Sequence, residues 1–202
     1  MNASSLRERK KAETRQRISD LGSMLFYERG FDAVTIGEIA EAANVSKVTV
    51  FNYFPRKEDI FLDRVPQLMD LLRVTIQERG EGVGVFEALR RMLDSHAVTG
   101  HQLGGVEDRY VHFWGVVIGS AALRARSREI VEEIEALLTS LIEESEEDLP
   151  APLAAAFVVA AYRSVFLGTA RRMLAGESAA EVLPDHLAAT DAAFAALERA
   201  FR

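Results

Sequence analysis

The stretch that decides the fold is residues 35–61, T-I-G-E-I-A-E-A-A-N-V-S-K-V-T-V-F-N-Y-F-P-R-K-E-D-I-F. Thr35 with Glu38 three residues on forms a capping box: the hydroxyl serves a free amide of the first turn, and the carboxylate reaches back to the cap. Ile36, Ile39, Ala40 and Ala43 then give that helix its inner face. Asn44-Val45 ends it, Ser46 caps a short third helix over residues 47–54, and Pro55 breaks that helix. Two short helices joined by a tight turn, directly after a longer helix, have the layout of a helix-turn-helix.

Outward from this stretch the periodicity stays helical. Ile18, Leu21, Leu25 and Phe26 line one face of a first helix expected over residues 9–28, with Gly30 as its stop. A fourth helix begins near Arg56 with Glu58 and Asp59 in its first turn, where carboxylates suit the helix dipole. Its stripe of Ile60, Phe61, Val65, Leu68, Met69 and Leu72 carries it unbroken to Arg79. Further helices are expected over residues 85–97, 106–118, 121–147, 152–175 and 184–201, the last opening on Pro184 as its first residue. Strand alternation and hairpin dipeptides such as Asn-Gly are absent. The expected fold is all-α. A three-helix helix-turn-helix head over residues 1–55 joins, through the long fourth helix, a larger helical domain over residues 56–202.

The third helix has two sides. At about 100° per residue, Val50, Phe51 and Phe54 fall together and are expected to anchor it on Ile18, Leu21, Ile39 and Phe61. Val48, Thr49, Asn52 and Tyr53 fall opposite. Asn bonds adenine in bidentate fashion, Thr suits several bases, and Val packs on a thymine methyl. Ser46, Lys47 and Lys57 lie at the ends of this helix, with the two lysines expected to hold the phosphate backbone. Thr35 and the free amides beside it suit another phosphate. The first 17 residues carry a net charge of +4, placed where a helix starts and the dipole disfavours it, which points to a polyanionic partner.

Residues 9–61 resemble the N-terminal domain of TetR-type (TetR/AcrR) transcriptional regulators, and the S-K-x-T-x-[FY]-x-Y-F-x-x-K-E ending is specific to that family among helix-turn-helix proteins. The resemblance implies a homodimer that binds a palindromic operator in double-stranded DNA. It also implies a C-terminal domain that senses a small-molecule effector, with repression relieved when the ligand moves the heads. DNA contacts carry over onto Thr35, Lys47, Val48, Thr49, Phe51, Asn52, Tyr53 and Lys57. The family commonly has a small residue where Val48 stands, Tyr where Phe51 stands and His where Asn52 stands.

The remaining chain supplies the body. Residues 61–202 hold 14 arginines, no lysine and 22 acidic residues, a net −8 that outweighs the +1 of residues 1–60 in the overall −7. In the last helix Leu187, Phe194, Leu197 and Phe201 follow a 3.5-residue seam, expected to form a four-helix dimer interface with the alanine-rich helix before it. Spacing alone suits intramolecular packing equally; the need for two reading helices on one duplex favours the dimer. His96, Tyr110, Trp114, Tyr162, Arg163 and Phe166 interrupt the body helices and are the candidate ligand contacts. Arg163 is also placed to meet an acid of residues 132–135.

Several classes of function are set aside. There is no cysteine, which excludes disulfide frameworks, thiol catalysis and cysteine metal sites. His96, His101 and His112 lack the i, i+4 spacing of a helical zinc pair. Asp94-Ser95-His96 has triad letters but not triad geometry. No phosphate-binding loop or dinucleotide fingerprint occurs. The expectation is therefore a non-enzymatic, cytoplasmic regulator with no cofactor, no metal and no membrane segment, residues 151–162 being too short and too alanine-rich to span a bilayer. The alternative is a helical small-molecule-binding protein or enzyme carrying an incidental helix-turn-helix.

Overall fold

Caps and breakers set the helix ends in the head. A computed structural model describes residues 3–101, 104, 106–145 and 147–201, and among them the chain forms ten helices and no strand. The first four are α1 (Ala3–Arg29), α2 (Ile36–Ala42), α3 (Lys47–Tyr53) and α4 (Glu58–Phe61). Thr35 caps α2 in a full capping box, and Ser46 accepts the Thr49 amide to cap α3. Asn44 turns the chain between them at φ 52, a left-handed conformation that Asn tolerates better than most residues. Ile18, Phe26, Ile39, Val50, Phe54 and Ile60 are all fully buried in the head core.

One close approach holds α1 against α4. A Cβ at Gly22 would lie 2.6 Å from Ile60 Cγ2, so the absence of a side chain at this position lets Ile60 seat on α1. Nearby, the Ser19 hydroxyl donates to the Ile60 carbonyl at 3.2 Å and lies 2.5 Å from an Asp63 carboxylate oxygen.

The fourth helix is not continuous. It stops at Phe61, and α5 (Val65–Gln77) starts after a turn at residues 62–64. Pro66 is the cause: it has no amide to bond Leu62, and its ring would collide with the Leu62 carbonyl in an unbroken helix. The remaining helices are α6 (Val85–Thr99), α7 (Tyr110–Gly119), α8 (Ala121–Glu144), α9 (Ala151–Leu174) and α10 (Ala179–Ala200). The last starts five residues before the expected Pro184. Ser178 and Glu181 form a second capping box there, and Pro184 lies inside the helix.

Contacts divide the chain into two compact units. One runs to Asp63 and takes in residues 116–126; the other holds residues 64–115 and 127–202. The head thus extends beyond the expected residue 55 and recruits the α7–α8 corner. Within that unit Ser120 donates to Asp32 at 2.8 Å, Arg126 to Asp59 at 2.9 Å, and Leu123 is fully buried.

In the body, Leu72, Leu89, Leu138, Ile142, Ala154 and Ala155 pack into one core, and Ala97, Trp114, Met173 and Val182 into another. Phe194 and Leu197 belong to the first of these. This corrects the expected dimer seam: a side chain inside its own subunit's core has no surface to offer a second copy. Leu187 packs against the second core, and Phe201 against Phe86 and Phe157. By length and composition α9 is apolar enough to cross a membrane, contrary to the expectation for this region. Its Ala151, Ala154, Ala155 and Val158 are core residues; Leu153, Phe157, Leu167 and Leu174 are exposed.

Gly22→Ala is expected to destabilise the head by about 1–3 kcal/mol, because the added methyl must displace Ile60. Thermal unfolding against the parent checks this; an unchanged Tm would show that α1 and α4 are not in contact at this point.

Candidate nucleic-acid interface

The third helix is held from beneath and from one end. Val50 and Phe54, at i and i+4, are both fully buried. The Arg15 guanidinium stacks over the Phe54 ring at 4.1 Å and donates to the carbonyls of Tyr53 at 2.8 Å and Asp63 at 3.5 Å. The Tyr53 carbonyl belongs to the C-terminal end of α3, where a cation is favourable. Arg15 counts among the basic residues of the N-terminal tip, but its charge is used internally. Only the fold could reveal this, since α1 brings it beside a helix 38 residues later in the chain.

The opposite side of α3 is open. Val48 is 69% exposed, and Lys47 and Asn52 are exposed with it. Phe51, expected beneath the helix with Val50 and Phe54, is instead 50% exposed. It lies one step beyond the Val50–Phe54 row and so turns outward beside Asn52. Thr49 and Tyr53 are half-buried. The Ser46 and Thr49 hydroxyl oxygens lie 2.8 Å apart, so Thr49 is partly engaged in the cap of its own helix.

One of the flanking residues differs from expectation. Lys57 turns its ammonium inward, donating to the carbonyls of Phe31 and Val34 at 2.7 Å each and lying 4.2 Å from the Phe31 ring centroid. Burial lowers its pKa, with Asp32, Glu58 and Glu38 opposing. Two of its three protons are thus committed to closing the α1–α2 connection, an arrangement unlike the free phosphate clamp expected from its position. At Thr35 the amide and hydroxyl both donate to Glu38 Oε2 at 2.8 Å, and Arg29 pairs with Glu38 Oε1 at 2.7 Å. The Thr35 amide is thus taken by the Glu38 carboxylate, as the capping box requires. Lys47 keeps the expected outward position: its side chain crosses Gly37, where a Cβ would meet Lys47 Cε at 2.9 Å.

With this geometry in place, comparison with known proteins is informative. Residues 18–63 match the family model "Bacterial regulatory proteins, tetR family". The head of the chain, over these residues, is of the TetR type. It is 27% identical over 170 residues to the HTH-type transcriptional regulator TcmR of Streptomyces glaucescens, covering 81% of this chain and 74% of that one. The AcrR regulator of Shigella flexneri is 41% identical over 49 residues, under a quarter of either chain. Solved structures share the fold. NalD of Pseudomonas aeruginosa, described as the secondary repressor of the MexAB-OprM multidrug efflux pump, superposes with TM-score 0.58 at 16% identity, over 90% of this chain and 97% of that one. A TetR-family transcriptional regulator from Mesorhizobium loti gives 0.57 at 18%, over 92% and 96%. The TetR-type head and the all-helical body expected from residues 35–61 are both present.

The body contains a cavity of about 270 Å³ walled by aliphatic side chains from α5, α6, α8 and α9. Of the candidate ligand contacts, Tyr162, Arg163 and Phe166 line it. Trp114 stands behind the wall, edge-on to Phe166 at 5.6 Å. His96 and Tyr110 are outside the lining: His96 Nδ1 bonds the Met92 carbonyl and its ring meets His101 at 4.3 Å, while the Tyr110 hydroxyl donates to the Gly100 carbonyl at 3.4 Å. Arg163 is exposed. The walls of the cavity were beyond periodicity, because the same Leu, Ile and Val stripes serve a solid core equally well.

The Thr35 amide and hydroxyl, then Arg29, hold the Glu38 carboxyl down to about 2 from its ordinary 4.5. A lowered carboxyl stabilises the fold fully above the ordinary value, and that contribution disappears as pH falls through the folded value. Head stability is therefore expected to fall between about pH 5 and about pH 2, less steeply in Glu38→Gln. Thermal melts across this range test it, and identical slopes for parent and variant would contradict it.

Proposed function

We infer that this TetR-type regulator binds a palindromic operator in double-stranded DNA as a homodimer, acts as a repressor, and is released when a small molecule enters the body cavity. The observation that carries the DNA-binding part is the two-sidedness of α3. Val50 and Phe54 are buried, while Lys47, Val48, Phe51 and Asn52 stand exposed along the other side. A rigid helix with a fixed inner row and a free outer row suits insertion into a major groove. Val48 and Asn52 are assigned to base edges, Lys47 to the phosphate backbone, and Thr35, Ser46, Thr49, Phe51 and Tyr53 to the flanks. Lys57 acts chiefly by holding the α1–α2 connection. In the cytoplasm, where such DNA lies, the chain needs no catalytic group for this role.

Selection from random duplexes is expected to return a palindrome with half-sites about 34–36 Å apart. Asn52→Ala should relax preference at one base pair, by about 1–3 kcal/mol of discrimination, whereas Lys47→Ala should weaken all sequences alike and reduce the salt slope by about one. Unchanged operator affinity in both variants would overturn the docking geometry.

For the dimer, the exposed face of α9 replaces the seam expected in α10. Leu153, Phe157, Ala160, Ser164 and Leu167 are exposed at alternating steps of four and three, and Leu174 one heptad further on, a coiled-coil spacing. Exposed Ala188, Ala192 and Ala196 of α10 leave room for a close neighbour. The double substitution Phe157→Glu, Leu167→Glu is expected to give a monomer by sedimentation with its helix content intact; a dimer that persists at low micromolar concentration would place the interface elsewhere.

One continuous helix supports ligand-driven release. The first residues of α8 belong to the head unit, with Arg126 on Asp59, and later ones, Val131, Ile134 and Leu138, line the cavity. A ligand that displaces this wall acts on the same helix that enters the head.

A further inference from the structure

The cavity has a chemical preference written into its walls. Leu72, Leu89, Met92, Ile134, Leu138 and Val158 supply aliphatic surface, and the polar side chains in the lining are Tyr162 and Arg163. These two are not equivalent. Arg163 is exposed, so solvent screens its charge. The Tyr162 hydroxyl is buried and has no hydrogen-bond partner among the described residues. Asp94 Oδ1 is buried and unpartnered in the same way, while Asp94 Oδ2 is held by Arg90 at 3.0 Å. Buried polar atoms are rarely left unpaired, and each one left so lowers stability, so this hydroxyl, on a residue that lines an otherwise aliphatic cavity, is the group a ligand can satisfy once it reaches past the ring.

The charge around that hydroxyl narrows the class. Burial raises the Tyr162 phenol pKa, and the nearby Asp94 carboxylate raises it further. Tyr162 therefore remains a neutral hydroxyl, near a carboxylate that Arg90 holds on its other oxygen. An anionic group placed beside it would lose its hydration to the aliphatic walls and meet the Asp94 charge without a buried cation in the lining to offset either. A neutral hydroxyl has neither problem. It both donates and accepts, so it can pair with Tyr162 Oη in either sense.

We propose that the cavity takes an uncharged, largely apolar small molecule carrying one hydroxyl group, received by Tyr162, and that it discriminates against carboxylates of the same shape. The proposal rests on reading the cavity as the effector site. It assigns the ligand class by the polarity of the walls and of the one buried hydroxyl, and makes Tyr162 the residue that determines specificity.

The protein contains its own reporter. Trp114 is the single tryptophan of the chain, and it stacks edge-on against Phe166, which lines the cavity. Its fluorescence in the full-length protein can be titrated with three matched probes, 4-butylphenol, butylbenzene and 4-butylbenzoate. The phenol is expected to bind about fivefold tighter than butylbenzene, the equivalent of one net hydrogen bond, and at least about tenfold tighter than the benzoate. Tyr162→Phe should bring the phenol and butylbenzene within about twofold of each other.

Equal binding of all three probes by the parent protein overturns the hydroxyl preference and leaves the effector-site reading standing. Benzoate binding as tight as the phenol overturns the exclusion of anions. An unchanged phenol preference in Tyr162→Phe assigns the hydroxyl to another partner and overturns the role of Tyr162. If none of the three probes alters the Trp114 signal or protects against thermal unfolding, the effector-site reading itself fails. The comparison among probes uses the parent protein, so it stands even if the variant does not fold.

Discussion

The exposed surface of the head depends on how α3 is seated. Val50 and Phe54 are buried one turn apart, and Arg15 closes the end of the helix by stacking on Phe54 and bonding the Tyr53 carbonyl. A seven-residue helix is too short to be stable alone, so its geometry is borrowed from the elements beneath it. Those elements are fixed in turn by the Gly22–Ile60 approach and by Lys57, whose ammonium gathers the Phe31 and Val34 carbonyls. The exposed row of Val48, Phe51 and Asn52 inherits this rigidity. A reading surface built on an unpinned helix would lose ordering entropy whenever it bound.

Much of this was legible in the sequence, because local chemistry sets helix ends. Thr35 with Glu38 and Ser46 before Lys47 place the two short helices, and Pro55 ends the second. What sequence reasoning missed is instructive in physical terms. Pro66 carried a clear signal for the break after α4, yet the apolar stripe from Ile60 to Leu72 masked it by running through the turn in register. The Ser178–Glu181 box was an equally clear start for α10, overshadowed by Pro184. By contrast, nothing local distinguishes Arg15 or Lys57 from other basic residues near a DNA-binding helix. Their inward orientation arises from carbonyls supplied by distant parts of the chain.

The dimer seam shows the limit of periodicity. A 3.5-residue repeat says that one side of a helix is apolar, and in α10 that side faces its own core at Phe194 and Leu197. The helix before it has two apolar sides, one buried through Ala154, Ala155 and Val158 and one exposed through Leu153, Phe157 and Leu167. The exposed side carries the case for a second copy. The cavity poses the same difficulty in a different form. Its walls are ordinary core residues, and it is set apart by the volume they leave empty and by one buried hydroxyl without a partner. The α8 helix begins in the head unit, and its later residues line this cavity.

The central claim is that the exposed side of α3 enters DNA. Replacing Val48 with a photoactivatable benzophenone amino acid tests it most directly, with the same replacement at Leu153 of α9 as the control. On duplexes that the protein binds in solution, illumination should couple position 48 to the bases of the site and leave position 153 uncoupled. A bound complex that gives no adduct at position 48 would contradict the account.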